Sequence, residues 1–192
     1  MKCLESFVTE CVESGYISHN KAPWLKYALE KRISSLIIII PLLFVGTIVS
    51  SFNAAIAFYI SCRSVRSYTN GIHAKSLTGC FLGSLTSEIC FLGILRHLLT
   101  FEIKSTIMLL SVVLIWLLAP YNHPNMALSE EEIRVCALKA KKRSLFVAVI
   151  TLVLDTISMH DMAEGALLGL VMTSLMLTIS YFPKGGCFNE NE

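Results

Sequence analysis

Apolar residues dominate long stretches of this chain, and polar residues collect in the shorter segments between them. The longest apolar stretch runs from Ile33 to Cys62 almost without interruption. As one helix it would be about 45 Å long, whereas the hydrocarbon core of a bilayer is about 30 Å thick. We therefore predict two shorter spans, 33–49 and 51–66, with a turn near Ser50–Asn53.

Four more stretches have the length and composition of membrane spans. Together with the first two they predict an all-α fold, a polytopic membrane bundle of about six transmembrane helices. Pro41 falls inside the first span, where a lipid-embedded helix tolerates a kink. The four further predicted spans are 77–95, 105–119, 144–158 and 165–182.

The segment 1–32 precedes these spans and has a different pattern. Its first part predicts an amphipathic helix that ends near Gly15 and either docks on the rest of the protein or lies on the membrane surface. A second, basic helix from Pro23 leads into the first span. We expect no cleavable signal peptide, because the first 30 residues contain no apolar core. The apolar stripe of the first helix consists of Leu4, Phe7, Val8, Cys11 and Val12.

The number and the distribution of charged residues support the membrane prediction. The chain is 54% hydrophobic and 16% charged, whereas soluble domains carry about 25% charged residues. If both termini are cytoplasmic, 14 of the 16 Lys and Arg residues lie on the cytoplasmic side. Only Arg96 and Lys104 then lie outside, on the same side as Asp161 and Glu164. This asymmetry follows the positive-inside rule and predicts a multi-pass protein of the cell membrane.

These patterns predict a single domain, 1–192. Within it, 1–32 is cytoplasmic or interfacial, 33–182 forms the transmembrane bundle, and 183–192 is a cytoplasmic tail. The seven cysteines have no paired spacing, so we expect no disulfide framework. The histidines and cysteines also lack the spacing of a metal site, so we expect no metal and no cofactor.

His73 and Cys80 are the candidate catalytic pair, at the mouth of the third predicted span. Nearby basic residues and the start of a helix favour the thiolate form of a cysteine. In a continuous helix the two residues would share one face about 11 Å apart, too far for a hydrogen bond. Catalysis therefore requires a non-helical segment at His73, and Gly71 permits such a bend. Alternatively, His73 is merely solvated and Cys80 fills apolar space.

Two acids and one basic cluster are further candidates for functional residues. Glu88 lies inside the third predicted span and Asp155 late in the fifth, and either could orient His73 as a third catalytic residue. Ser129, followed by three glutamates, predicts the start of a helix in the preceding loop. Basic residues collect at the far end of that helix, where they either anchor the chain at lipid headgroups or dock an acidic peptide. This basic cluster consists of Lys139, Lys141, Lys142 and Arg143.

Two sequence elements resemble the accessory gene regulator protein B family of Gram-positive bacteria. The first is Arg66-Ser67-Tyr68-Thr69-Asn70-Gly71-Ile72-His73-Ala74, followed by Cys80, and the second is Ala119-Pro120 before a polar loop and the basic cluster. The resemblance extends over nearly the whole chain. The family often has two glycines where this chain has Asn70-Gly71, and Asn also tolerates left-handed backbone.

The resemblance implies a membrane-embedded cysteine endopeptidase of quorum sensing, with Cys80 as nucleophile and His73 as general base. Arg66 and Gly71 match positions that support the family's site. The implied substrate is an AgrD-like pro-peptide whose acidic C-terminal tail is removed through an acyl-thioester on Cys80, so that the peptide can cyclise to a thiolactone or lactone. The resemblance also suggests a homodimer in the lipid bilayer and no nucleic-acid partner. We further hypothesise that the basic cluster docks the acidic tail.

Two other classes of protein remain compatible with the sequence. A small multi-pass transporter or channel without covalent catalysis would use Glu88 and Asp155 to line a path. A non-enzymatic membrane subunit would recruit a partner through the N-terminal helix.

Overall fold

The computed structural model describes residues 2–16, 22–69, 77–98, 101–121 and 129–181. These residues form helices joined by short connections, which confirms the all-α prediction. A π-helical segment, Ile89–Leu95, joins α4 to α5. The helices are α1 (Lys2–Glu13), α2 (Ala22–Val49), α3 (Phe52–Thr69), α4 (Leu77–Glu88), α5 (Arg96–Leu98), α6 (Phe101–Leu118), α7 (Glu130–Thr156) and α8 (His160–Tyr181).

The chain divides into two compact units, Met1–Leu42 and Leu43–Glu192. The first unit contains α1, whose helical bounds agree with the predicted N-terminal amphipathic helix. Gly15 follows α1 with a φ of 74°, a left-handed conformation that glycine adopts without steric cost. Its amide donates to the carbonyl oxygen of Val12 at 3.0 Å, which closes the helix end.

The predicted turn after the first span is confirmed, because α2 ends at Val49 and α3 begins at Phe52. The hydroxyl of Ser51 accepts a hydrogen bond from the amide of Ala54 at 3.2 Å, so a serine caps the start of α3. The predicted basic helix and first span are parts of one continuous helix, α2, which passes through Pro41.

The helix that begins after Ser129 does not end at the basic cluster. The sequence predicted a helix from Ser129 with the basic cluster at its other end, and a span over 144–158. The structure has a single helix, α7. Its sequence contains no glycine or proline that would interrupt it. The basic cluster therefore lies in the middle of a long helix.

Two glycines of α8 bring this helix into backbone contact with α3. A Cβ atom on Gly165 would lie 2.1 Å from the carbonyl oxygen of Ala54, and one on Gly169 would lie 2.5 Å from that of Phe58. Ser61 adds a hydrogen bond from its hydroxyl to the carbonyl oxygen of Ala166 at 2.7 Å. This is the small-xxx-small packing known from membrane helices. The Gly-x-x-x-Gly signal is visible in the sequence, but our sequence reasoning missed it.

Apolar clusters pack beside this helix pair, one towards the π-helical segment and the other towards α6 and α7. Their side chains are buried, so the core of the second unit contains two apolar clusters. The first cluster contains Ala54, Ala55, Phe58, Phe91, Leu92, Leu168 and Met172. The second contains Val65, Ile115, Ala140, Val147, Ala148, Leu170 and Leu177.

Charged side chains join several helix ends on one side of the second unit, which we call the Arg96 end. The guanidinium of Arg96 donates to Glu164 at 2.6 Å and also bonds Asp161 and Ser50. Lys104 donates to the other oxygen of Glu164 at 2.5 Å. One polar network therefore connects α5 with the C-terminal end of α2 and with the starts of α6 and α8.

One helix in the described part of the chain, His160–Tyr181, combines the length and the apolar composition needed to cross a membrane. Shorter apolar helices are Ile38–Val49, Phe81–Leu95 and Ile103–Leu118. The six-span topology with cytoplasmic termini stays a prediction.

The close contact between α3 and α8 gives a first testable prediction. Gly165→Ala forces a methyl group against the backbone of Ala54, so we expect it to destabilise the fold by about 1–3 kcal/mol. The matched control is Gly83→Ala on α4, where an added Cβ meets no atom within 4 Å and should stabilise the helix by up to about 1 kcal/mol. Thermal unfolding of both variants measures the difference. Equal stability would contradict the packing.

Candidate active site

Cys80 and Arg66 belong to two helices that flank the segment 70–76. Cys80 is the fourth residue of α4, and Arg66 lies half-buried in the last turn of α3. His73 and Gly71, the other predicted members of the site, lie outside the described residues. Cys80 thus stands near the start of a helix, as predicted, where the partial positive charge of the helix dipole favours a thiolate.

Cys80 lies far from the Arg96 end. Sixteen residues of helix separate Cys80 from Arg96, which corresponds to about 24 Å along the axis. α3 runs the opposite way, from Ser51 near that network to Thr69 at the other side. We call this other side of the second unit the Thr69 end. Arg66 therefore belongs to the Thr69 end, and the predicted nucleophile lies on a turn of α4 far from the Arg96 end.

Three helix ends are fixed to one another at the Thr69 end. The carbonyl oxygen of Thr69 accepts a hydrogen bond from the amide of Tyr121 at 3.0 Å. The rings of Tyr121 and Tyr181 meet edge to face at 5.1 Å, and the Tyr181 hydroxyl donates to Leu118 at 2.7 Å. The Ala119–Pro120 peptide bond, between Leu118 and Tyr121, is cis. Sequence reasoning had not assigned either tyrosine a role.

The basic cluster also approaches the Thr69 end. The ammonium group of Lys139 lies 5.5 Å from the centre of the Tyr68 ring, within the range of a cation–π interaction. Tyr68 is the penultimate residue of α3, from which the chain continues to His73. Lys142 and Arg143 are exposed, whereas Lys141 is half-buried. A cationic surface therefore begins beside the helix end that leads into the predicted catalytic loop.

The two candidate orienting acids have different positions. Asp155 lies near the end of α7 and forms a contact of 2.8 Å with His160, next to the Arg96 end. Glu88 is on the same helix as Cys80, eight residues away, or about 12 Å along the axis. Its side chain is buried and packs against Gly46. Of the two acids, only Glu88 shares an element with the candidate nucleophile.

The described cysteines outside the candidate site are free thiols. Cys62 is packed near Met172, with 4.0 Å between the sulfur atoms, and Cys90 is exposed on the π-helical segment. Within the described residues, the structure contains no group of three or more His, Cys, Asp or Glu side chains that could hold a metal ion.

A capping box fixes the start of α7, as the Ser129 pattern predicted. The Ser129 hydroxyl accepts from the amide of Glu132, and the Glu132 carboxylate accepts from the amide of Ser129 at 2.9 Å. The hydrogen bonds from Ser129 hold the pKa of Glu132 below its usual value. Although Glu132 is exposed, its ionised form therefore helps to order the helix that carries the basic cluster.

Comparison with known proteins extends over nearly the whole chain. The family model for accessory gene regulator B matches residues 4–179. Accessory gene regulator protein B of Staphylococcus aureus (strain JH9) is 22% identical over 182 residues, which cover 94% of this chain and 95% of the relative. The protein of the same name from Staphylococcus haemolyticus (strain JCSC1435) is 23% identical over 181 residues, again 94% and 95% of the two chains. No solved structure matches the chain significantly.

The capping box predicts a pH dependence at the start of α7. Because the pKa of Glu132 is lowered in the folded helix, its stabilising effect is present above the ordinary carboxyl range and is lost as pH falls through the folded value. We expect amide-exchange protection of Ile133 and Arg134 to decrease on acidification, after correction for the intrinsic exchange rate. Ser129→Ala should lower this protection at neutral pH and flatten its pH dependence. An unchanged profile in that variant would refute the capping effect.

Proposed function

The chain belongs to the accessory gene regulator B family, and on that premise we propose that it is a membrane-embedded cysteine endopeptidase of quorum sensing. Its substrate would be an AgrD-like pro-peptide, from which it removes the acidic C-terminal tail. The observation that carries this proposal is the position of Cys80 in the first turn of α4, away from the Arg96 end. The family match supports a role in accessory gene regulation, and the chemistry below is our proposal.

In the proposed reaction, His73 takes the thiol proton of Cys80 as the sulfur attacks the carbonyl carbon of the scissile peptide bond. His73 then gives that proton to the leaving amine of the tail, and the rest of the peptide stays on Cys80 as a thioester. A Cys or Ser of the peptide attacks this thioester, closes a thiolactone or lactone ring and returns a proton to the Cys80 sulfur. Backbone amides in the first turn of α4 are suited to stabilise the oxyanion.

Arg66 and Gly71 would support this pair. Arg66 projects from the last turn of α3, one turn before the segment that contains His73, and its positive charge favours a thiolate nearby. Gly71 would provide the backbone bend that brings the imidazole back towards Cys80. Glu88 shares α4 with Cys80 but is buried against Gly46 about 12 Å further along the axis, so the reaction is proposed for a dyad without an orienting acid.

The basic cluster is our proposed docking site for the acidic tail. Lys139 stands over Tyr68 beside the end of α3, and Lys142 and Arg143 are exposed nearby on α7. A tail bound along this surface would lie close to the segment that leads to His73. Electrostatic attraction of this kind raises the local concentration of an oppositely charged substrate.

We further propose that the second unit crosses the membrane several times, with both termini in the cytoplasm of a Gram-positive cell, and that the protein is a homodimer. Large apolar side chains are exposed on its outer helix faces, among them Ile48, Leu109 and Leu117. Such surfaces are typical of contact with lipid or another protein chain. The cations predicted to lie outside, Arg96 and Lys104, are neutralised by Asp161 and Glu164, which is compatible with this orientation.

The transporter alternative depends on Glu88 and Asp155 lining one path. Asp155 has a partly exposed side chain next to His160, near the Arg96 end, while Glu88 is enclosed. The positions of these two acids therefore do not favour transport along a shared path. A non-enzymatic subunit is distinguished by its inability to form a covalent adduct with a peptide-derived electrophile.

The nucleophile is tested with Cys80→Ala in cells that express the chain together with its pro-peptide. We expect complete loss of tail cleavage, because the thioester cannot form. The matched control is Cys90→Ala, which removes an exposed thiol ten residues further along and should leave cleavage unchanged. Mass spectrometry of the peptide products measures both. Continued cleavage by the Cys80 variant, or equal loss in both variants, would refute the assignment.

The docking proposal is tested by reversing the charge of Lys139, Lys142 and Arg143 together. Because these cations would bind the tail and not the reacting bond, we expect a higher KM with kcat largely retained. Labelling of Cys80 by a small thiol reagent should be unaffected. Charge reversal at Arg134, an exposed cation on the same helix, is the control and should leave KM unchanged. An unchanged KM in the triple variant would rule out this docking surface.

A further inference from the structure

Glu88 is an acid whose side chain is buried inside the second unit. Its side chain is 2% exposed, and Oε2 has no hydrogen-bond partner within the described part of the structure. Oε1 packs so closely on Gly46 that a Cβ atom there would lie 2.4 Å away. The methyl group of Ala55 would lie 2.8 Å from the same added Cβ atom on Gly46. The carboxyl group thus lies between α2 and α4 in largely apolar surroundings.

An ionised carboxylate is unstable in such surroundings, because burial removes its hydration and no cation among the described residues pairs with it. The nearest guanidinium along the chain, that of Arg96, is eight residues away and engaged with Asp161 and Glu164. The described segment 43–49 of α2 contains no titratable residue. The thiols and phenols on α3, α4 and the π-helical segment cannot act as counter-cations. The cations of α3, Arg63 and Arg66, follow Ala55 by at least eight residues, or about 12 Å along the helix axis.

We infer that Glu88 is a proton-binding site inside the second unit, where a neutral carboxylic acid holds the contact between α2 and α4. A proton requires no ligand other than the carboxyl group itself. A hard metal cation would require several oxygen ligands, and the neighbours seen at Gly46 and Ala55 provide none from their side chains. The π-helical segment begins directly after Glu88, and such segments frequently accompany functional sites.

Deprotonation of Glu88 would change the packing of the second unit whether or not a peptide is cleaved. Loss of the proton would place a charge against Gly46 and draw water into the apolar cluster formed with Phe91 and Leu92. The contact between α2 and α4 would then loosen. Proton binding would therefore couple the acidity of the surroundings to the packing of the helix that carries Cys80.

An apolar carbodiimide tests the protonation state directly in the full chain. The protonated carboxyl group adds across one C=N bond of the reagent, its proton moves to nitrogen, and the O-acylisourea rearranges to a stable N-acylurea with no leaving group. We expect peptide mapping to place this adduct on Glu88 at neutral pH. A cationic, water-soluble carbodiimide should instead label exposed acids such as Glu131. Above the titration point, the yield at Glu88 should fall about tenfold for each unit of pH.

Thermal unfolding provides an independent measurement. The unfolded chain releases the Glu88 proton near the ordinary carboxyl value of about 4.3, whereas the folded protein retains it. The folded state then binds more protons, so stability falls as pH rises through this interval. Glu88→Gln keeps a neutral group of similar size and should reduce that slope. Glu131→Gln, which removes an exposed acid, should leave the slope unchanged.

Several results would overturn the inference. One is a folded protein in which the soluble reagent labels surface acids but the apolar reagent leaves Glu88 unmodified at neutral pH. Another is protection of Glu88 by sodium or another metal cation, which would indicate a cation site. A Glu88→Gln variant that keeps the full pH slope of stability would also refute it. The labelling of the wild-type chain decides the question even if the variant does not fold.

Discussion

The backbone contact between α3 and α8 is the constraint on which the second unit depends. Gly165 and Gly169 allow α8 to approach so closely that its nearest neighbours on α3 are the backbone carbonyl oxygens of Ala54 and Phe58. Buried Ser61 reinforces the contact with a hydrogen bond to the backbone of α8. The flanking apolar clusters pack against this pair, so the positions of the π-helical segment, α6 and α7 follow from it.

The distribution of charge gives the second unit two different ends. At the Arg96 end, cations and acids from several helices neutralise each other in one compact network. At the Thr69 end, the ordering interactions are backbone hydrogen bonds and aromatic contacts, and Lys139, Lys142 and Arg143 of α7 are exposed. The charges at one end are therefore neutralised by ion pairs, whereas the other end has exposed positive charge.

The residues proposed for the active site come from the start of one helix and from the cationic Thr69 end. Cys80 is near the start of α4, Arg66 is at the end of α3, and Lys139 reaches Tyr68 from α7. Arg66 and Lys139 thus lie beside the helix end from which the chain continues to His73, and Cys80 belongs to the helix that follows in sequence. The proposed chemistry requires several elements, because a nucleophile, a base and a binding surface for the tail cannot all be supplied by one helix.

Much of the helical organisation follows from local sequence. Apolar run length predicted the turn at Ser50, the three glutamates after Ser129 predicted the start of α7, and the Gly71–Cys80 pattern indicated the family. These features depend on residues close together in the chain. The sequence did not reveal that Asp161 and Glu164 neutralise Arg96 and Lys104, or that Glu88 packs on Gly46. Those relations depend on how closely helices approach in space, which only the tertiary structure determines.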